Sequence, residues 1–270
     1  GAGSNRIRLS NSEGKMEIAA DATDFYVVDN SDNIVQYWKD GGNIGIGTTS
    51  PDGKLHVHTA TAGSVTARTD ADDLVVENSA HGGISIIVPD NQTSNLLFGQ
   101  VSDNRAAKVD YAGGTNLMSI GTDKASGQVA IMVAANSEAV RFDASGNVGI
   151  GETSPDTDLH IKSSASWFPQ LKIENTNNDS SSGILQFYKE AGDSSEADND
   201  YLGGIDFYGR DSANNSQRFA YMYALSTDIT SGTEDGRIDF MTVADGTDTI
   251  TMSILSGKVG IGTTAPAAKL

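Results

Sequence analysis

The sequence predicts an all-β protein built as tandem β-rich modules, of sandwich or prism-like form, joined by Gly-rich collars. Three observations predict it: short apolar runs with a period of two, a Gly motif that occurs three times at domain spacing, and a composition poor in apolar residues but rich in turn formers. Alternation puts one set of side chains on one strand face, while Gly, Asn, Asp and Ser supply the bends between strands. Only 37% of residues are hydrophobic and 30 are Gly, which suits many short strands that each bury a single face.

The modules follow from the repeat. Gly42-Asn43-Ile44-Gly45-Ile46-Gly47-Thr48-Thr49-Ser50-Pro51 precedes Lys54-Leu55-His56-Val57, and Gly146-Asn147-Val148-Gly149-Ile150-Gly151-Glu152-Thr153-Ser154-Pro155 precedes Asp158-Leu159-His160-Ile161. The third copy is Gly257-Lys258-Val259-Gly260-Ile261-Gly262-Thr263-Thr264-Ala265-Pro266, and the chain stops at Lys269-Leu270. The copies begin 104 and 111 residues apart, the period of a small domain and not of a solenoid coil. Weaker likeness aligns residues 74–78 with 171–175 and 127–132 with 236–241, and makes 14–18 the late strand of a preceding module. The expected organisation is therefore the end of a preceding module over 1–41, a collar over 42–57, a module over 58–145, a collar over 146–161, a module over 162–256 and a truncated collar over 257–270. A chain that starts Gly1-Ala2-Gly3-Ser4, within a module, and stops inside a motif reads as a segment of a longer array.

Between the motifs, strands are expected over residues 6–10, 25–29, 34–38, 84–88, 184–188, 205–208 and 219–223, where apolar and polar residues alternate. Turns are expected at Glu13-Gly14, Ser145-Gly146, Asp245-Gly246 and Ser256-Gly257, dipeptides that favour tight reversals. No segment carries a capped helical stripe, and residues 132–140 read as strand and turn.

In an extended Ile44-Gly45-Ile46-Gly47 the two Ile side chains share one face and the other face is bare backbone. Bare backbone in a strand marks close approach by another backbone. In a parallel, intertwined homotrimer the Ile and Val side chains would fill the threefold axis while Gly lets neighbouring chains cross. The opposing reading, a dinucleotide-binding loop, lacks the third Gly (Ser50 stands there), a following helix and a βαβ context.

The motif, followed by Leu-His-Val or Leu-His-Ile, resembles one that recurs in tail fibre and other structural proteins of bacteriophages, where it often precedes a self-cleaving intramolecular chaperone. Residues 167–175 and 183–188 are similar to the same fibres. The resemblance implies a homotrimeric fibre on the virion tail, outside the cell, whose partners are its own copies, other virion tail proteins and a host-surface polysaccharide or protein receptor. The chaperone's catalytic Ser and Lys have no counterpart here. A bacterial cell-surface adhesin or extracellular filament of the same modules is the alternative, and a polysaccharide depolymerase tailspike is the enzymatic one.

Charge narrows the partners. Asp and Glu number 36 against 18 Lys and Arg, a net charge of −18 that repels phosphate backbones, so no nucleic-acid partner is expected. No apolar run reaches the roughly 20 residues of a spanning helix, so no membrane partner is expected either. The absence of Cys excludes disulfides and thiolate metal sites.

No catalytic, cofactor-binding or metal-ligating residue is assigned, and no cofactor is expected, but four groups of candidates stand against structural roles. His56 and His58 share a strand face, and three copies would bring six imidazoles to an axis, enough for an octahedral metal, although Lys162 replaces the second His beside His160. His81 is isolated. Glu77, Glu174, Asp206 and Asp239 are the carboxylates a depolymerase would draw on, yet the first two occupy equivalent repeat positions and the others alternate as ordinary strand residues. Trp38, Trp167, Phe168 and Tyr201 offer faces on which a sugar stacks, or else seal a subunit contact. The acidic stretch 190–200 suits either Ca²⁺ or a solvated hairpin.

Overall fold

The computed structural model describes residues 5–10, 14–20, 23–64, 66–190 and 196–269. Among these the only helical element is a 3₁₀ turn at Ala134–Asn136, and everything regular besides is strand, in four sheets. None of the described helices is long and apolar enough to cross a membrane. The chain divides into two compact units, Gly1–Ser164 and Ala165–Leu270.

The first unit opens with a seven-stranded sheet whose spatial order is its chain order: β1 (Asn5–Ser10), β2 (Lys15–Ala20), β3 (Phe25–Val28), β4 (Ile34–Trp38), β5 (Ile44–Ile46), β6 (Leu55–His58) and β7 (Leu74–Glu77). The first five form an antiparallel meander, while β5 pairs parallel with β6 and β6 parallel with β7. A three-stranded meander follows, β8 (Thr93–Gln100), β9 (Asp103–Ala112) and β10 (Leu117–Thr122). The third sheet is β11 (Val129–Val133), β12 (Ser137–Phe142), β13 (Val148–Ile150) and β14 (Leu159–Ile161), with a parallel β13–β14 pair. The second unit is one antiparallel sheet, β15 (Tyr201–Arg210), β16 (Ser216–Asp228), β17 (Asp235–Ala244), β18 (Thr247–Leu255) and β19 (Lys258–Ile261). Its last two hairpins turn at Asp245-Gly246 and Ser256-Gly257, both with positive φ at each residue, as a twist-matched two-residue reversal requires.

The expected strands over 6–10, 25–29 and 34–38 are present, those over 205–208 and 219–223 lie inside longer strands, and 132–140 is strand, 3₁₀ turn and strand. Residues 84–88 and 184–188 differ: they alternate like strands but join no ladder among the described residues. A strand exists only through a hydrogen-bonded neighbour, and these segments pair with no strand among the described residues. Glu13 of one expected turn, and 191–195 of the acidic stretch, lie outside the described residues.

Register sorts every sheet into two unlike faces. In the seven-stranded sheet one row passes from Ile7 through Ile18, Val27, Gln36 and Ile46 to Val57 and Val76. The same face carries Phe25 against Trp38, their rings 4.8 Å apart. The opposite row passes from Arg6 through Ala19, Tyr26, Tyr37 and Gly45 to His56 and Val75. Only the second face is covered. Ala19, Tyr26, Val28 and Tyr37 form its small buried cluster, whereas Ile7 is 65% exposed on the apolar face.

The same division recurs. Leu96, Val109 and Ile120 share a face in the second sheet. Ile131, Val140, Ile150 and Ile161 do so in the third, and Ile205, Met222, Phe240, Met252 and Ile261 in the fourth. Each opposite face holds a carboxylate tied to a cation. Glu17 takes both Arg6 and Arg8, Asp110 takes Lys108, Glu138 takes Arg141 and Asp239 takes Arg237. Burying an acid is tolerable only with such a partner.

The collar motif belongs to the sheets. In each copy the strand centred on Gly45, Gly149 or Gly260 ends a meander, and in the first two an eight-residue return leads to a parallel partner. That return is shorter than the usual parallel crossover of a dozen or more residues, so the chain must fold tightly over its own strand. A Cβ on Gly45 would lie 2.2 Å from the Thr48 carbonyl oxygen, one on Gly149 2.1 Å from that of Glu152, and one on Gly260 2.4 Å from that of Thr263. The backbone expected from a neighbouring chain at these glycines is thus the chain's own turn. The Ile residues beside them point the other way, and Ile46, Ile150 and Ile261 are 40%, 41% and 73% exposed.

Candidate functional site

Among the described residues, one group of His and carboxylate side chains with metal-ligand spacing sits on the covered face at the first collar. The parallel ladder β5–β6–β7 sets His56 between Gly45 and Val75, and puts Glu77 directly opposite His58. Gly45 leaves room above the strand, the return 47–54 closes over it, and His56 ends 1% exposed.

Its ring is held from both sides. The Asp52 backbone N–H donates to Nδ1 at 3.2 Å, and Nε2 lies 3.1 Å from Glu77 Oε2. The carboxylate oxygen is off the line of the ring N–H, so Nε2 has a close electrostatic contact but no aligned hydrogen bond. Glu77 is fixed in turn, since its Oε1 accepts the Ala62 backbone N–H at 2.6 Å. His58 approaches the same carboxylate, Nε2 to Oε2 at 3.8 Å, while its Nδ1 lies 3.2 Å from the Gly47 carbonyl. An open cleft of about 660 Å³ adjoins the cluster, lined by Asp52, Val75, Glu77, Asn78 and Ile84 among others.

One ligand atom each from Asp52, His56 and Glu77 falls within 4.8 Å of the others, a spacing compatible with a metal. The hydrogen bonding opposes that use. Because Nδ1 accepts from Asp52, the single proton of the neutral ring is on Nε2, the nitrogen that faces the carboxylate. A nitrogen carrying that proton cannot also donate its lone pair to a metal. His56 is moreover enclosed by its own chain, the surroundings of a structural His and not of a ligand open to an interchain axis. The arrangement does chemically what a latch does: it ties the collar return, β6 and β7 together through one imidazole.

The second copy keeps half of this. His160 sits opposite Gly149, with Nδ1 2.9 Å from Asp156 Oδ1 but again off a hydrogen-bonding line. Lys162, in the place of His58, pairs with Glu152. Glu174, matched to Glu77 by the repeat, lies in a segment that joins no ladder among the described residues and meets Lys172 at 2.7 Å.

The remaining carboxylates are committed elsewhere. Asp239 is 3% exposed. Arg237 lies 3.0 Å from it, and it accepts the Ser253 hydroxyl at 2.6 Å. Asp206 accepts the Tyr223 hydroxyl at 3.3 Å. Beside them Arg218 lies 3.7 Å over the Tyr221 ring and pairs with Asp248. Of the aromatic candidates, Trp167 is 89% exposed, Phe168 and Tyr201 are exposed, and Trp38 stacks on the apolar face. His81 contributes its backbone carbonyl to Asn78. The pairs Lys108/Asp110 and Arg237/Asp239, which the candidate residues left largely aside, had a signal: opposite charges two apart on one strand share a face.

No protein-family model matches the chain, and no curated protein matches it.

Proposed function

We propose that the chain is a structural segment of a bacteriophage tail fibre, a homotrimer that gives reach and host-surface attachment on the virion tail without covalent chemistry. One observation carries the self-assembly: the exposed area. The chain exposes 19586 Å². A compact monomer of 28.2 kDa would expose about 11,000 Å², and two separate compact units of these sizes about 13,000 Å². Roughly 6,000 Å² or more per chain is left for partners, above the range of most obligate interfaces. The viral setting and the number three are supported by the likeness of the collar motif to fibre proteins. Attachment draws on the exposed Trp167 and Phe168, whose apolar rings suit the faces of sugars.

Sedimentation equilibrium of the 28.2 kDa chain tests this reading. Three chains per particle, elongated in electron micrographs, is the expected result. A cooperatively folded monomer at micromolar concentration would remove its main support.

A further inference from the structure

We infer that the apolar faces of all four sheets are buried against further copies of this chain, and that the faces carrying the carboxylate–cation pairs point outward. The inference rests on the self-assembly proposed above and adds which side of each sheet makes the contact.

Three observations converge on that side. First, it is the apolar side that its own chain leaves open: Leu96 is 53%, Met118 64% and Ile120 65% exposed, and all three belong to it. A monomer would bury the apolar side of a sheet and wet the polar one, whereas here Glu17, Asp110 and Asp239 on the opposite sides are 4%, 8% and 3% exposed. Second, the rows from Ile7 to Val76 and from Ile205 to Ile261 contain no charged residue. Copies that each carry −18 can meet there without opposing like charges. Third, the open face recurs in four successive sheets and in both units, and each collar adds an exposed Ile to it.

That recurrence selects the occupant. A partner covering one patch would leave the other sheets bare, so the occupant must run the length of the chain and repeat with it. Another copy, parallel and in register about a rotation axis, meets that condition by construction.

The chain has no Cys, so single thiols report on the face directly. The thiols introduced by Ile46→Cys, Ile150→Cys and Ile261→Cys, each in a separate variant, are compared with that of Thr49→Cys on the exposed collar return. The particle mass is measured on the same samples. In the assembled protein the first three should react with a water-soluble thiol reagent more slowly than the fourth by about tenfold or more. Oxidative footprinting of the unsubstituted chain guards against misfolded variants: Met118, though 64% exposed in one chain, should be protected in the assembly. An oligomer whose Ile46→Cys and Met118 sites react like the Thr49→Cys control overturns the inference and leaves self-assembly standing. Dimers with protected sites keep the inference and remove the trimer. A folded monomer removes both.

Discussion

The carbonyl oxygen of Thr48 lies 2.2 Å from the point where a Cβ on Gly45 would stand. The contact is backbone against backbone, so no side chain can rotate away to relieve it. Gly45→Ala is therefore expected to cost about 1–3 kcal/mol or more, as overpacking does. Gly121→Ala is the control, since nothing lies within 4 Å of its Cβ position. It should be close to neutral. Urea unfolding of both variants decides, and equal midpoints would mean that the collar return is not packed on Gly45.

Glu17 makes the fold sensitive to acid. Arg6 above all, with Arg8 beside it, holds the Glu17 carboxyl below its ordinary 4.5, against the opposing effect of burial. Arg141 lowers Glu138 and Lys108 lowers Asp110 in the same way. A carboxyl depressed in the folded state stabilises fully above its unfolded value, and that stability is lost as pH falls through the folded value. The chain should thus lose stability below about pH 4.5, even though acid also relieves the repulsion of a net charge of −18. Glu17→Gln should be less stable near pH 7 and lose less between pH 7 and pH 3. Parallel pH profiles for the two proteins would show that the pair contributes nothing.

These pairs also mark what was legible in the sequence. Alternation located β1, β3 and β4, and the dipeptides Asp245-Gly246 and Ser256-Gly257 located two hairpin turns, because both signals are local. The meander β8–β10 was not foreseen. Thr93–Gln100 reads T-S-N-L-L-F-G-Q, where adjacent Leu96, Leu97 and Phe98 hide the period of two. Residues 84–88 and 184–188 failed in the opposite sense, for alternation specifies a face and not a neighbour. Gly45 was legible as a point of close approach, but not whose backbone approaches. That depends on the return 47–54, a tertiary feature. The His56 cluster was half legible: the shared face of His56 and His58 follows from spacing, while Asp52 and Glu77 arrive through a turn and a parallel strand.

His56 and His160 stand at the same motif position but differ in enclosure. His56 is 1% exposed and bridges Asp52 and Glu77, whereas the His160 side chain is 29% exposed and lies against Asp156. His56→Ala removes a buried ring and leaves the Asp52 amide without its acceptor, at an expected cost of about 2–4 kcal/mol. His160→Ala should cost about 1 kcal/mol or less. Chemical denaturation of both variants checks the order, and a larger loss for His160→Ala would sink the latch. Titrating the unsubstituted chain with Zn²⁺ adds a second reading: tight stoichiometric binding abolished by His56→Ala would mean that the ring carries its proton on Nδ1.

Tyr221 should be the last tyrosine of the second unit's polar face to ionise. Burial pushes its hydroxyl up to about 12, and the neighbouring Asp248 carboxylate adds to the shift by disfavouring a second negative charge. In the unfolded chain the group would ionise near its ordinary 10.0. Since the folded value is the higher one, its contribution to stability is complete below pH 10 and disappears as pH rises toward 12. Absorbance titration at the phenolate band should find a late step near pH 12 from Tyr221. Tyr221→Phe should delete that late step and leave the earlier ones unchanged. It should also flatten the loss of stability between pH 10 and 12, because Phe has no proton to give up when the sheet opens. If Tyr221→Phe removes no late step while the chain is still folded, then water reaches Tyr221 and Arg218 does not seal it.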